Sequence, residues 1–363
     1  MKKIVGMFCM ILCICLSGCA QESIAQVMRA GEGNETTRAD AEGQDDEDMK
    51  PVSRNIFAMD TYMTVTAYGD KAKEAVKAAA DEIERLDTLL SAGDEDSEIF
   101  RLNKQGGGIV SSDTRYLLER SLEIWEQTKG VFEIAVYPIM EAWGFTDGNF
   151  QVPSKDTLEQ ILLLADSGGI HLDEEAGVVT FDQEGMRIDL GGIAKGYTSG
   201  RIMDIFKEYE VVSGVVSLGG NVQVYGEKPD GTEWRVAIQD PEDTTAYLGT
   251  LKARDCAVIT SGGYERYFEV GGVTYHHIID PATGYPADNG LASVTVVSPD
   301  GTLADGLSTS LFIMGTERAK DYWRDHSEEF DAVLMDDKGV VYVTEGIEDQ
   351  FSSDRTVEVI GGA

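Results

Sequence analysis

Apolar residues change their spacing along this chain, and the changes divide it. Residues 4–16 form a short apolar run, whereas residues 20–52 hold almost no large apolar side chain. From Ser53 the pattern becomes that of a folded domain. Ile56-Phe57-Ala58-Met59 and the alternating Met63-Thr64-Val65-Thr66-Ala67 predict strands with one buried face. Val76, Ala79, Ile83, Leu86 and Leu90 then recur every three or four residues on a Lys/Glu-rich background, which predicts a surface helix packing one stripe inward. Gly106-Gly107-Gly108 reads as a loop. Ser112 or Asp113 is placed to cap a second helix with Leu118, Leu122 and Trp125 inward, and Gly130 to end it. A short helix over Asp156–Asp166, a turn at Gly168-Gly169 and a strand at Val178–Phe181 follow.

Beyond Val211 the period is mostly two. Strands are predicted at Val215–Leu218, Val222–Tyr225, Trp234–Ile238, Ala257–Thr260, Thr274–Ile279 and Ser293–Val297. Pro229-Asp230-Gly231 and Gly271-Gly272 read as hairpin turns, so the neighbours they join are antiparallel. Helices from about Leu303 and through Trp323 precede strands at Val333, Val340 and Val357. Strands in runs, with the helices segregated, predict an α+β fold of mostly antiparallel sheets with helices packed on them, in one compact domain over residues 53–363.

The N-terminal pattern has its own reading. Met1-Lys2-Lys3, the apolar run and Leu16-Ser17-Gly18-Cys19 resemble a bacterial lipoprotein signal: residues 1–18 are removed and Cys19 carries lipid. About 13 apolar residues fall short of the roughly 20 a membrane span needs. Residues 19–52, with the run Asp45-Asp46-Glu47-Asp48, are then an acidic flexible tether, and the expected location is the extracytoplasmic face of the cell membrane. Cys9, Cys13 and Cys15 leave with the signal. Cys256 remains, and Ala257-Val258-Ile259 beside it suggest a buried strand thiol.

The chain has 363 residues, 42% of them apolar, enough for a real core. Its formal net charge of -35 excludes attraction to a nucleic-acid backbone or an anionic membrane as its main business. An anionic ligand must therefore be captured locally, by a metal or by backbone N–H groups. Asp305 and Thr309 supply the first means: four residues apart on a helix they share one face, and oxygen-only ligands suit a hard cation such as Mg²⁺. The stretch Asp189-Leu-Gly-Gly-Ile-Ala-Lys-Gly-Tyr197 supplies the second. It puts glycines and one lysine at the entrance of a helix with Ile202, Ile205 and Phe206 inward, where backbone approaches a ligand closely and phosphate is favoured. It is not G-x-x-x-x-G-K-[ST] and fits G-x-G-x-x-G poorly, so neither an ATPase loop nor a dinucleotide fold is supported. His276 and His277, adjacent on a predicted strand, face opposite sides, which turns one of them toward a cleft.

Six stretches, MDTYMTVTAYG, DLGGIAKGY, SLGGNVQVYG, TSGGYERYF, HIIDPATGYP and ADGLSTSLFIMG, stand in the order found in the ApbE family, the FAD:protein FMN transferases, which the chain resembles from about Ser53 to Val343. The resemblance implies an enzyme that splits the FAD pyrophosphate, attaches FMN through a phosphoester to a Thr or Ser of a target protein and releases AMP, with Mg²⁺ required. It implies as partners membrane redox-pump subunits and other extracytoplasmic flavoproteins bearing a D-x-[ST]-G-A-[ST]-like motif. Metal contacts then fall on Asp305, Thr309 and the Gly192 carbonyl, with Ser308 close by. Flavin contacts fall on Met59, Val131, Phe132, Glu133, Asp189, Lys195 and near Ile279. His277 is the histidine of the H-I-I-D-P string and the first candidate to take the acceptor proton, with a carboxylate as the alternative; Lys195 is suited to hold a phosphate. FAD hydrolysis to FMN and AMP, or flavin binding without turnover, are the alternatives to transfer.

Three positions depart from the family pattern. Met59-Asp60-Thr61 replaces Met-Gly-Thr. Gly93 stands where an aromatic often stacks on the flavin, and Glu133 where Asp is usual. Tyr62 or Phe132 are the candidate replacements for the missing aromatic.

Overall fold

Alternation in the chain builds one large sheet, whose strands lie side by side in the order Val52–Ala58, Thr61–Tyr68, Ser213–Leu218, Asn221–Tyr225, Ala257–Gly262, Leu291–Ser298, Asp331–Asp336, Val341–Thr344 and Val357–Ile360. Neighbours are antiparallel, except that Val341–Thr344 and Val357–Ile360 run parallel. The computed structural model describes residues 50–362. The expected signal segment, Cys19 and the tether up to residue 49 lie outside the described residues. Among the described residues no helix is long and apolar enough to cross a membrane.

Period two sends successive side chains to opposite faces of this sheet. Ala332 and Leu334 enter one core; Val333 and Met335 enter another. The first face carries the helices Ala72–Leu90, Ala194–Glu208 and Gly301–Met314. Ile83 and Leu86, on the stripe of the first helix, are fully buried, worth roughly 1.5–3 kcal/mol each. The second face is closed by a smaller sheet of Trp234–Gln239, Tyr247–Ala253 and Phe351–Ser352. Cys256 is half-buried against that second core, which pushes its thiol up to about 11. The fold is therefore α+β, as the pattern predicts.

The helix Gly301–Met314 sits deepest. Asp300 caps it by accepting from the Thr302 and Leu303 N–H groups, and every residue from Gly301 to Met314 except Thr309 is buried. A helix apolar nearly all round belongs inside. Ala194–Glu208 crosses it at Gly196 and Gly301, where a Cβ on Gly196 would collide with the Gly301 carbonyl oxygen and stand 2.6 Å from the Asp305 Cβ. Only glycine lets the two backbones meet there.

Some local expectations shift. Ser111, not Ser112 or Asp113, caps the helix Ser112–Gln127 through the Thr114 N–H. The Thr128 C-cap, not Gly130, ends it; Gly130 follows with φ +83°. The strand predicted over Thr274–Ile279 stops at His276 and belongs to a two-stranded ribbon, Tyr267–Val270 with Val273–His276, while Ile279 forms a lone bridge to Pro286. Phe268 and Tyr275 of that ribbon stack on one another and lie against Trp143. This aromatic cluster anchors the ribbon that joins Glu265 to His277.

Candidate active site

Asp305 is buried at 4% exposure, and both its oxygens are engaged: Oδ2 accepts the Gly196 N–H at 2.8 Å and Oδ1 accepts the Asn221 amide at 3.0 Å. Asn221 is delivered by the Gly219-Gly220 turn, whose φ values of +62° and +102° require glycine. One turn along, Thr309 is the only residue of its helix left open. Ser308 donates to the Asp305 carbonyl at 2.9 Å, and its Oγ lies 2.8 Å from Ser261 Oγ, which is also 3.3 Å from Thr309 Oγ1.

The glycine-rich turn comes to the same place. The buried Phe132 ring lies against both Gly192 and Gly306, where added Cβ atoms would stand 3.4 and 3.6 Å from its Cε2, so one ring's width separates the turn from the Asp305 helix. A carboxylate and a hydroxyl on this helix, with the Gly192 turn across the Phe132 ring, are oxygen donors of the kind a hard cation takes. Among the described residues no group of three or more His, Cys, Asp or Glu gathers.

The other half of the cleft is made of loops. Met59 and Asp60 both have positive φ, +47° and +58°, and the Met59 N–H donates to Asp87 Oδ1 at 2.9 Å. Met59 Sδ lies 3.9 Å from Thr198 Oγ1, over the start of the Ala194–Glu208 helix. Glu133 is enclosed by Trp125 Nε1, the Ser167 N–H and hydroxyl, and the Ala135 N–H. Burial raises its carboxyl in spite of these donors. Its side chain braces the loop, which leaves the backbone of Val131, Phe132 and Glu133 as the part suited to meet a ligand. Phe132 is buried, whereas Tyr62 is exposed, in an edge-on pair with Phe57.

Asp189 accepts the Gly191 N–H at 2.7 Å. Withdrawal from water raises its carboxyl against the opposing pull of that N–H, Arg266 and Lys195. Lys195 Nζ is 3.4 Å from the Gly191 carbonyl oxygen. His276 and His277 do turn opposite ways. His276 packs edge-on to Phe312 with Nε2 bonded to the Ala287 carbonyl and Nδ1 accepting the Ile278 N–H, a satisfied structural residue. His277 Nδ1 is 3.2 Å from the Arg266 carbonyl oxygen. A carbonyl only accepts, so Nδ1 carries the proton and Nε2 presents a lone pair. Withdrawal from water pushes this imidazole down to about 4, with the Lys195 and Arg266 cations acting in the same sense, so it is neutral at ordinary pH.

Ile279 is buried in a satellite core with Trp143 and reaches the site only through its backbone neighbours. Glu265, in contrast, has no role that the sequence alone predicts. Although Glu265 is exposed, the protein packed around it raises its carboxyl to about 7, with Lys195 opposing and Asp305 adding to the shift. The signal lay in TSGGYERYF, where Glu265 and Arg266 follow a glycine pair and Ser261 precedes it. Ser261 and Asn221 carry no charge and no spacing rule, so only contact with the Asp305 helix reveals them.

Known proteins bear the same arrangement of chain. The sequence profile described as the ApbE family matches residues 59–334. An FAD:protein FMN transferase of Treponema pallidum is 35% identical over 292 residues, covering 75% of this chain and 81% of that protein. One of Klebsiella pneumoniae is 34% identical over 257 residues, covering 70% and 79%. Among solved structures, the ApbE protein of Thermotoga maritima superposes with a TM-score of 0.78 at 31% identity, covering 83% of this chain and 99% of that one. The flavin transferase ApbE of Vibrio cholerae does so at 0.75 and 25% identity, with the same coverage. With a matched profile spanning most of its length and relatives above 30% identity, the chain belongs to the ApbE family.

Proposed function

We propose that this enzyme transfers FMN from FAD to a Thr or Ser hydroxyl of an acceptor protein, with Mg²⁺ bound, and releases AMP. The carrying observation is that Asp305 and Lys195 both act on Glu265, while Lys195 also acts on a His277 whose Nδ1 is bonded to the Arg266 carbonyl and whose Nε2 presents a lone pair. Mg²⁺, held by Asp305, Thr309 and the Gly192 carbonyl with Ser308 close by, supplies neutralisation of charge on the pyrophosphate oxygens. Lys195 adds a fixed positive charge beside the same groups. The pyrophosphate P–O bond to the AMP half breaks, the acceptor Oγ–P bond forms, and the acceptor proton passes to His277 Nε2. Withdrawal from water keeps His277 neutral, so that its Nε2 offers a lone pair to the acceptor hydroxyl.

The acceptor is a flavoprotein with a D-x-[ST]-G-A-[ST]-like segment, and residues 53–363 are the catalytic domain. Lipid on Cys19 places the enzyme at the extracytoplasmic membrane face, close to redox-pump subunits. Metabolic labelling with a fatty-acid analogue is expected to mark wild type and not Cys19→Ala.

Incubation of purified protein with FAD, Mg²⁺ and such an acceptor tests the main reading by mass spectrometry: an FMN adduct on Thr or Ser is expected, and its absence sinks the proposal. Rapid AMP release without acceptor would instead mark a hydrolase. Asp305→Ala is expected to lower Mg²⁺-dependent AMP release on the order of 10²–10³-fold. It also orphans the Gly196 N–H and Asn221 amide, at roughly 1–3 kcal/mol each, so circular dichroism must confirm that the variant folds.

A further inference from the structure

We propose that Ser261 is a positioning residue that makes the Thr309 hydroxyl a cation ligand by fixing the direction of its proton. The inference rests on the cation reading above and extends it to a side chain on a different element, the strand Ala257–Gly262.

The argument is an ordering of three hydroxyl protons. Ser308 Oγ is 2.9 Å from the Asp305 carbonyl oxygen, which has no hydrogen to give, so Ser308 donates there. Its hydrogen is thereby spent. Toward Ser261, at 2.8 Å, the Ser308 oxygen therefore accepts, and Ser261 donates. Ser261 has now used its own single hydrogen, and across 3.3 Å to Thr309 Oγ1 it accepts; Thr309 donates. The chain of bonds runs Thr309 to Ser261 to Ser308 to the Asp305 backbone, and each step leaves the next only one polarity.

Thr309 is the end of that chain and the one residue of its helix that is not buried. With its hydrogen turned toward Ser261, the lone pairs of its oxygen face away, toward the open side. A hydroxyl ligates a hard cation through a lone pair, and a free rotor spends part of its time presenting hydrogen instead. Ser261 removes that wrong orientation before any ion arrives. The relay ends on the backbone of Asp305, whose carboxylate is itself held by Gly196 and Asn221, so both donors belong to one hydrogen-bonded unit. Outer partners of this kind set ligand direction and metal affinity.

The test uses the full-length protein with Ser261→Ala, Ser261→Cys and the hydroxyl-restoring Ser261→Thr, reading Mn²⁺ binding by electron paramagnetic resonance, Mg²⁺ by competition, and the KM for Mg²⁺ separately from kcat. Ser261→Ala is expected to weaken Mn²⁺ and Mg²⁺ binding roughly tenfold or more, with kcat at saturating Mg²⁺ within about twofold of wild type, since only metal orientation is lost. Ser261→Thr is expected to restore affinity. Ser261→Cys, a weak donor of similar size, is expected to fall between and stands in if the alanine variant does not fold. Unchanged metal affinity in Ser261→Ala or Ser261→Cys overturns the relay, as does a loss confined to kcat. Wild-type protein that binds neither ion and turns over without metal overturns the cation reading itself, an outcome distinct from either.

Discussion

Two aspartates face the cleft under different conditions. Asp305 lies on the most buried helix and spends both carboxylate oxygens on donors from other elements, Gly196 and Asn221. Asp189 sits in a loop, accepts one near neighbour, Gly191, and has its carboxyl raised by withdrawal from water. The half around Asp305, proposed to take the cation, is thus fixed by packing and hydrogen bonds that exist before a ligand binds. The half around Asp189, proposed to take the flavin, is held by turns and by mutual electrostatics among Asp189, Glu265, Arg266, Lys195 and His277. A preorganised site retains geometry through the reaction, while a looser one adapts to a large ring system.

The sharpest way to break this contrast is Gly196→Ala against Asp189→Asn. The alanine Cβ meets the Gly301 carbonyl and the Asp305 side chain, so the two helices must separate and the Gly196 N–H bond to Asp305 must stretch. A loss of about 3 kcal/mol or more is expected, read by urea unfolding, together with weakened Mg²⁺ binding. Asp189→Asn keeps shape and is expected to cost less than about 1 kcal/mol while raising the KM for FAD. Equal destabilisation by both would show that the halves are equally rigid.

A middle-sized effect separates the titrating groups. Glu265 is raised from 4.5 to about 7, so the folded protein keeps a proton that the unfolded chain releases; the stability this group contributes is complete below pH 4.5 and is lost as pH rises through 7. His277 is lowered from 6.5 to about 4, and the sign reverses: its contribution is complete above pH 6.5 and is lost as pH falls through 4. Metal-free wild type is therefore expected to lose Tm between pH 5 and 8 relative to Glu265→Gln. In the metal-free protein, His277→Gln is expected to keep the Tm difference that Glu265→Gln removes; a fall in Tm over this range that survives in Glu265→Gln would assign it elsewhere.

These contrasts also explain what the sequence exposes and what it hides. Asp305 and Thr309 are legible because helical spacing is a local rule, and the Gly192 turn because glycine before a helix is a local signal. The large sheet is legible for a related reason: short apolar, β-branched runs bounded by turn residues mark its strands, although most are buried on both faces and alternate little. Asn221 and Ser261 are hidden because their roles exist only across elements, 84 and 48 residues from the partners they hold. The bracing role of the Glu133 side chain is hidden likewise, since its four protein donors come from a fold that no motif describes. Asp60 shows how a departure is tolerated: its φ of +58° is where glycine is easiest, and aspartate is among the residues that accept it at modest cost.

The smallest expected effect concerns the other departure, Gly93. A Cβ built there meets nothing within 4 Å, and its backbone does not lie in the left-handed region, so a larger residue is sterically admissible. The loop around it is closed by the Ser91 hydroxyl, which accepts the Gly93 and Asp94 N–H groups at 3.3 and 3.2 Å, and neither bond involves a side chain at position 93. Gly93→Tyr should therefore leave stability nearly unchanged and restore the ring that the family pattern often places against the flavin. Stacking of that kind is worth about 1 kcal/mol, roughly a fivefold tighter Kd for FAD by fluorescence quenching. If the gain appears with kcat for transfer unaltered, the flavin half adapts independently of the cation half; if tighter FAD binding instead changes the Mg²⁺ affinity, the two halves are coupled through Lys195 and Glu265, the charges that face both.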